Sequence, residues 1–200
     1  FNSIVPLGHV MSGPAAACPS FLASPTGGKG TSLIFPQGAS FSRIKRNEPV
    51  FVDMVGIYNG YIADATRIFS LGKIEPELEE AYIAACQIEE GLAREMSAGK
   101  TGRELYQLSE AAGANLGYKD YLGGPPGGKC GFVGHGVGLE LDEYPVIGPL
   151  DHELQSNMTI AIEPKIIYPD KGVLGIEDTF LTSSGAAESL THMPREIWQV

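Results

Sequence analysis

The first pattern of apolar positions along the chain predicts a β-hairpin. The apolar stretches FVDMVGIY and YIADATRIF flank Asn59-Gly60, the two-residue signal of a type I′ turn, in which both central positions need a positive φ. Such a turn pairs Tyr58 with Tyr61. The register of the whole hairpin follows from that pair.

This register brings two acidic residues together. It sets Asp53 opposite Thr66, and Asp64 lies two residues from Thr66 on the same strand. Opposite residues and residues two apart share a face, so both carboxylates project from one side of the hairpin. Two carboxylates among apolar neighbours repel each other and are costly to desolvate unless a cation or a proton lies between them.

A second hairpin is predicted near the end of the chain. The stretches MTIAIEPKIIY and GVLGIEDTFLT flank residues 169–171, and a three-residue connection pairs Tyr168 with Gly172 and hence Glu163 with Glu177. These carboxylates also face one side. Pro164 cannot donate to a ladder, so we expect a bulge or a strand edge at that position.

A histidine lies between the two hairpins in GFVGHGVGLELDEYP. Glycine on both sides of His135 allows its backbone and ring to approach another group closely. Carboxylate oxygens and imidazole nitrogens bind divalent cations. The residues of the two hairpins and this turn are therefore candidate metal ligands: Asp53, Asp64, His135, Glu163 and Glu177.

Two helices are predicted between the hairpins. The first runs from Pro76 to Gly99, and the second begins at the capping box of Thr101 and ends at Gly117. Both carry apolar residues at a spacing of three and four, which we expect to face the core: Leu78, Ala81, Ala85, Ile88, Leu92, Leu105, Leu108, Ala112 and Leu116. Residues 12 to 40 are rich in Gly, Pro, Ser and Ala, which predicts a loop; a flexible linker and an ordered loop both remain open.

Four segments resemble one known family. DMVGIYNGYIADATR, GHGVGLELDEYP, AIEPKIIYP and GIEDTFLT are similar, in order and spacing, to the motifs of the metallopeptidases with the pita-bread fold: methionine aminopeptidase, aminopeptidase P and prolidase, with creatinase as a metal-free relative. The resemblance implies an α/β fold with pseudo-two-fold half-domains, a curved antiparallel sheet and covering helices. It also implies that residues 1–200 are a single catalytic domain whose parent protein has a further amino-terminal part, and that this parent is a homodimer.

The resemblance implies a dinuclear metal site. Asp53 would chelate one ion, Asp64 and Glu177 would bridge both, and His135 and Glu163 would complete the second. In the family, a water or hydroxide held between the ions attacks the scissile carbonyl, and the glutamate matching Glu163 is the proposed proton shuttle. The oxygen-rich ligand set favours Mn²⁺ as the cofactor, with Co²⁺, Fe²⁺ and Zn²⁺ as alternatives.

The chain departs from the family pattern where further histidines usually lie. The corresponding residues are Gln37, Gly131 and Asp142, and Lys165 stands where glycine is more common after Glu-Pro. We expect Gln37 and Asp142 to contact substrate, with Asp142 able to bind an amine or to pair with Lys165. For Arg67, an ion pair that orients a ligand carboxylate is favoured over a role in binding substrate.

The resemblance implies a hydrolase that cleaves a peptide bond next to proline in a short peptide. One alternative is hydrolysis or lyase chemistry on a small carboxylated metabolite, in a pocket shaped by Gln37, Asp142 and Lys165. Another is a catalytically silent binding module. The net charge of −10 argues against nucleic acid or an anionic membrane as a partner. Three unpatterned cysteines are typical of reduced thiols in a cytoplasmic protein.

Overall fold

The computed structural model describes residues 8–21 and 24–200, which form eleven strands and three helices. In chain order these are β1 (His9–Ser12), α1 (Gly13–Ala16), β2 (Pro49–Tyr58), β3 (Tyr61–Ser70), α2 (Pro76–Glu95), α3 (Gly102–Asn115), β4 (Gly134–Gly136), β5 (Glu143–Ile147), β6 (Thr159–Ile162), β7 (Lys165–Tyr168), β8 (Gly172–Gly175), β9 (Asp178–Leu181), β10 (Glu188–Ser189) and β11 (Trp198–Gln199). No helix in the described ranges has the length and apolar character needed to cross a bilayer.

The first hairpin forms as predicted. Tyr58 pairs with Tyr61 and Asp53 with Thr66, and both turn residues at 59 and 60 have positive φ. Strand β1 lines the outer edge of β2, and β11 lies parallel to the other side of β3, so that the sheet order is β1-β2-β3-β11.

The second hairpin has the predicted register but is divided into two ladders. Tyr168 pairs with Gly172 in β7 and β8, and further from the turn Ile162 pairs with Asp178 in β6 and β9. The ladder stops between these pieces, where Pro164 has no N–H to donate. The inner piece is a two-stranded sheet, and the outer piece belongs to a five-stranded sheet of order β10-β9-β6-β4-β5.

The helices differ from their predicted bounds at the carboxyl end. Helix α2 ends at Glu95 instead of Gly99, and α3 ends at Asn115 instead of Gly117, although the capping box at Thr101 is present. Gly99 and Gly117 both have positive φ, so each lies beyond the last helical turn.

The helices cover the sheets with one face each. The five apolar residues predicted on α2 are buried, as is Leu105 of α3. Leu108 and Leu116 are exposed, which corrects the predicted apolar face of α3. That helix buries Gly102, Ser109 and Gly113, because it packs through small residues rather than through a stripe of leucines.

The predicted loop over residues 12 to 40 is only partly correct. Ser12 closes β1, and residues 13–16 form the short helix α1. Residues 22 and 23 lie outside the described part of the chain, and the remaining described residues up to position 45 contain no helix or strand. The segment is pinned by backbone hydrogen bonds from Gly28 to Cys18 and from Gly38 to Gly27, so the ordered loop is favoured over the flexible linker.

We expect Gly60→Ala to lower the free energy of unfolding by about 1 kcal/mol, the lower end of the cost of a left-handed backbone for a residue with a Cβ. Gly60 has φ of +84° and no atom lies within 4 Å of an added Cβ, so backbone strain is the only cost. Gly56→Ala is the matched control, because Gly56 lies in the same hairpin in equally open space but without a positive φ. Urea unfolding of both variants tests this, and equal losses would contradict it.

Candidate metal centre

The five predicted ligands converge on one cleft of about 230 Å³. Asp53 is on β2, Asp64 on β3 and His135 on β4, whereas Glu163 and Glu177 lie at the interruption between the two ladders of the second hairpin. At this interruption Glu163 and Glu177 are not paired with each other, unlike in the predicted hairpin. The backbone of Glu163 donates to Val133, and Glu177 exchanges two backbone hydrogen bonds with Thr66.

The bridge between Thr66 and Glu177 joins the two hairpins at the site. The Thr66 hydroxyl also donates to Glu177 Oε2 over 2.7 Å. Arg67 is fully buried and donates to the backbone carbonyl of Glu177 over 2.8 Å, while its other terminal nitrogen pairs with Asp178 at 2.7 Å. The geometry therefore favours a structural role for Arg67 over substrate binding, but its ion pair is with Asp178, which is not a candidate ligand, and it fixes the backbone and not the carboxylate of Glu177.

His135 is held with its Nε2 directed into the cluster of carboxylates. Its Nδ1 lies 3.0 Å from the carbonyl of Gly136, and because a carbonyl can only accept, Nδ1 carries a hydrogen. Nε2 lies 3.3 Å from Glu163 Oε1 and 3.9 Å from Glu177 Oε1. The hydrogen bond from Nδ1 to the Gly136 carbonyl leaves Nε2 facing the carboxylates, which is the orientation of a histidine that binds a metal ion through Nε2.

The donor set fits a divalent cation. One ligand atom each of Asp64, His135 and Glu177 lie within 4.8 Å of one another, and all three residues are buried. Asp64 Oδ1 is buried without a hydrogen-bond partner in the structure. An orphaned carboxylate oxygen in such a place is costly, and a cation is the partner that this set of two carboxylates and one imidazole would hold.

The electrostatics of the cluster support the same conclusion. Burial, together with the charges of Asp53 and Glu163, raises the pKa of Asp64 to about 7. Burial and the charge of Glu163 also raise the pKa of Glu177 well above its ordinary value. Burial alone would lower the pKa of His135, but its hydrogen bond to Glu163 and the nearby charges raise it to about 9. Without a divalent ion, protons on Asp64, Glu177 and His135 therefore compensate part of this negative charge.

Lys165 supplies a cation that the sequence did not assign to the cluster. Its ammonium is fully buried, pairs with Glu163 Oε2, donates to Thr26 Oγ1 over 2.7 Å and lies 3.9 Å from Glu177 Oε2. Of the two roles left open for Asp142, pairing with Lys165 is therefore wrong. The sequence did contain a sign of this contact: Lys165 lies two residues after Glu163, and residues two apart in an extended strand share a face.

Gln37 and Asp142 line the same cleft. The Gln37 amide donates to the backbone carbonyl of Thr26 over 3.2 Å, while the side chain of Asp142 is 69% exposed at the mouth, 3.5 Å from His135 Nε2. His9 also lines the cleft, next to Asp53 in the strand pairing. Sequence reasoning missed His9, which has no motif around it and becomes visible only through this pairing.

Three comparisons with known proteins identify the family. A model described as metallopeptidase family M24 matches residues 6–184. The chain belongs to this family. It is 34% identical over 164 residues to the Xaa-Pro dipeptidase of Pyrococcus furiosus, a match that covers 81% of this chain and 45% of that protein. The chain thus spans less than half the length of this curated relative.

Solved structures confirm the pita-bread fold. The X-Pro aminopeptidase from Thermotoga maritima MSB8 superposes with a TM-score of 0.80 at 26% identity, covering 96% of this chain and 49% of that one. The prolidase from Pyrococcus horikoshii OT3 gives a TM-score of 0.77 at 28% identity, covering 95% and 48%. The predicted fold class is therefore confirmed. Metallopeptidases of family M24 use divalent metal ions, which agrees with the cluster of carboxylates and one histidine described above.

We expect Arg67→Ala to lower the free energy of unfolding by about 3 to 5 kcal/mol, the usual cost of removing one partner of a buried ion pair. Asp178 and the carbonyl of Glu177 would lose a fully buried donor. Arg103→Ala is the control, because the Arg103–Asp151 pair is solvent-exposed and its loss should cause no resolvable change. Denaturant titration of both variants measures the difference; similar losses would contradict the role given to Arg67.

Proposed function

We propose that this chain is the catalytic domain of a metal-dependent hydrolase that cleaves the peptide bond next to proline in short peptides, as an Xaa-Pro aminopeptidase or dipeptidase. The observation that carries the proposal is the convergence of Asp64, His135 and Glu177 on one buried point, with Glu163 beside them. All four residues lie within residues 6–184, which the model of family M24 matches. The names of two relatives at 34% and 28% identity, Xaa-Pro dipeptidase and prolidase, support the substrate class.

The proposed cofactor is a divalent cation, with Mn²⁺ favoured because oxygen donors outnumber the single imidazole. When bound, such an ion would act as a Lewis acid toward the substrate carbonyl and lower the pKa of a water it holds. Asp64, His135 and Glu177 would bind it, and the hydrogen bond from Nδ1 to Gly136 would keep His135 in the tautomer with a free Nε2. The second ion implied by the family, with Asp53 among its ligands, stays a prediction.

Glu163 is the proposed proton acceptor. Burial would raise its pKa, but the charge of Lys165 and the contact with His135 lower it below its ordinary value, so the carboxylate is ionised. Oε2 is held by Lys165 and Oε1 faces His135 within the cleft. An ionised carboxylate beside the reacting water can take its proton and pass it to the leaving nitrogen.

Substrate contacts are proposed for Gln37 and Asp142. The exposed carboxylate of Asp142 at the mouth of the cleft suits the charged amine of a short peptide. The alternative reaction, on a small carboxylated metabolite, needs Lys165 to line the substrate pocket. The ammonium of Lys165 is already bound to Glu163 and Thr26. The structure therefore favours the peptide over the metabolite. A homodimer of the full-length parent and a cytoplasmic location stay predictions.

We expect hydrolysis of a panel of Xaa-Pro dipeptides in the presence of Mn²⁺ or Co²⁺, and loss of that activity after treatment with EDTA. Glu163→Gln should lower kcat by about 100-fold or more, the range for removing a general base. Glu79→Gln is the matched control, because Glu79 is exposed on α2 and should leave kcat unchanged.

Three outcomes of this assay are informative. Turnover that depends on metal and on Glu163 supports the proposal. Stoichiometric metal without turnover of any proline peptide would contradict the substrate class and favour the metabolite alternative. Absence of bound metal in protein purified without chelator would contradict the hydrolase itself and favour the silent binding module.

A further inference from the structure

Lys165 occupies a site prepared for its side chain. Gly175 faces it across the β7–β8 ladder, and a Cβ on Gly175 would lie 2.7 Å from Lys165 Cγ. The ammonium lies 5.3 Å from the centroid of the Phe51 ring and donates to Thr26 Oγ1. A glycine that leaves room for the aliphatic part of the side chain, together with fixed acceptors for the head, holds the ammonium in one position.

The oxygens of the cluster fall into two groups. On the Lys165 side, Glu163 Oε2 contacts the ammonium, Glu177 Oε2 accepts from Thr66, and Asp53 Oδ2 accepts from Thr26 over 3.0 Å. The Thr26 hydroxyl has one hydrogen, which goes to Asp53 because the ammonium can only donate. Each of these oxygens thus has a hydrogen-bond partner from the protein itself.

The second group faces His135. Glu163 Oε1 and Glu177 Oε1 lie 3.3 Å and 3.9 Å from His135 Nε2. Asp64 Oδ1 is buried without a partner, on a residue only 5% exposed. The buried oxygen of the cluster that lacks a hydrogen-bond donor is therefore Asp64 Oδ1, and a carboxylate oxygen of Asp64 lies within 4.8 Å of ligand atoms of His135 and Glu177, where a single cation would bind.

We propose that the ammonium of Lys165 takes the place of the second cation, so that this chain binds one divalent ion, at Asp64, His135 and Glu177, instead of two. The proposal rests on the metal-dependent function proposed above and specifies its metal content. A second dication would have to share Glu163 and Glu177 with an ammonium that is already buried between them. Like charges at such short range in a desolvated site are strongly unfavourable.

The proposal is consistent with the charge of the site. Asp53, Asp64, Glu163 and Glu177 contribute four negative charges when ionised. One ammonium and one divalent ion supply three positive charges, which leaves one net negative charge on these four carboxylates with His135 as a neutral ligand, while Asp142 lies exposed at the mouth. The lysine thereby provides compensation that a second metal ion would otherwise provide.

The test is the metal content of the whole chain, stripped with EDTA and then equilibrated with excess Mn²⁺. We expect wild type to retain about one Mn²⁺ per chain by elemental analysis, and Lys165→Gly and Lys165→Ala to retain about two, since an open second position among carboxylates favours a divalent cation. Lys171→Ala is the control, because Lys171 pairs with Glu75 and Glu77 on the surface. It should match wild type.

A spectroscopic readout on wild type avoids dependence on the folding of the variants. Electron paramagnetic resonance of the Mn²⁺-loaded wild type should show the hyperfine pattern of an isolated ion, without signals of an exchange-coupled pair. In the Lys165 variants that fold, Mn²⁺ should also raise Tm by more than in wild type, because the added ion replaces a missing buried charge.

The outcomes separate this proposal from the proposed function. About two Mn²⁺ per chain in wild type, or a coupled-pair spectrum, would overturn the role of Lys165 while leaving the metal-dependent hydrolase intact. Folded Lys165 variants that remain at about one ion would also overturn it. No retained Mn²⁺ in wild type or in any variant would overturn the metal site itself and with it both proposals.

Discussion

The compensation of buried negative charge is the constraint on which the rest of this structure depends. Asp64, Glu163 and Glu177 are each at most 5% exposed and lie around one histidine. Carboxylates in such a place cannot remain ionised without nearby cations. The fold supplies one cation permanently as Lys165 and leaves Asp64 Oδ1 and the nitrogen Nε2 of His135 available for another.

Backbone hydrogen bonds position the buried carboxylates of Glu163 and Glu177. The ladder of the second hairpin is interrupted at Pro164, so Glu163 and Glu177 lose their cross-strand pairing and bond instead to Val133 and Thr66. The Thr66–Glu177 bridge docks the second hairpin onto the first, and the contacts of Arg67 with Glu177 and Asp178 and of Asp64 with Thr179 support the same junction. Pro164 thus lies at the interruption of the ladder that turns Glu163 and Glu177 toward other partners.

The sequence predicted the local geometry well and the contacts between elements poorly. The register of both hairpins followed from their turns, since a two-residue or three-residue connection fixes every later pair. The burial of Lys165 was missed because a lysine is ordinarily exposed, and no periodicity reveals that Gly175 makes room for it. His9 was missed because its place beside Asp53 depends on a strand pairing across more than forty residues.

A fixed ammonium and an exchangeable ion affect the reacting groups differently. Burial raises the pKa of Glu163, but the ammonium of Lys165 and the contact with His135 hold it below its ordinary value. The lowered pKa makes Glu163 a weaker base but keeps it ionised. Lys165 also holds Oε2, which leaves Oε1 as the oxygen that faces His135 and the cleft. Orientation is gained at the expense of basicity. In the proposed amide hydrolysis Glu163 would first accept and then return a proton, and a weak, well-oriented base favours the return step.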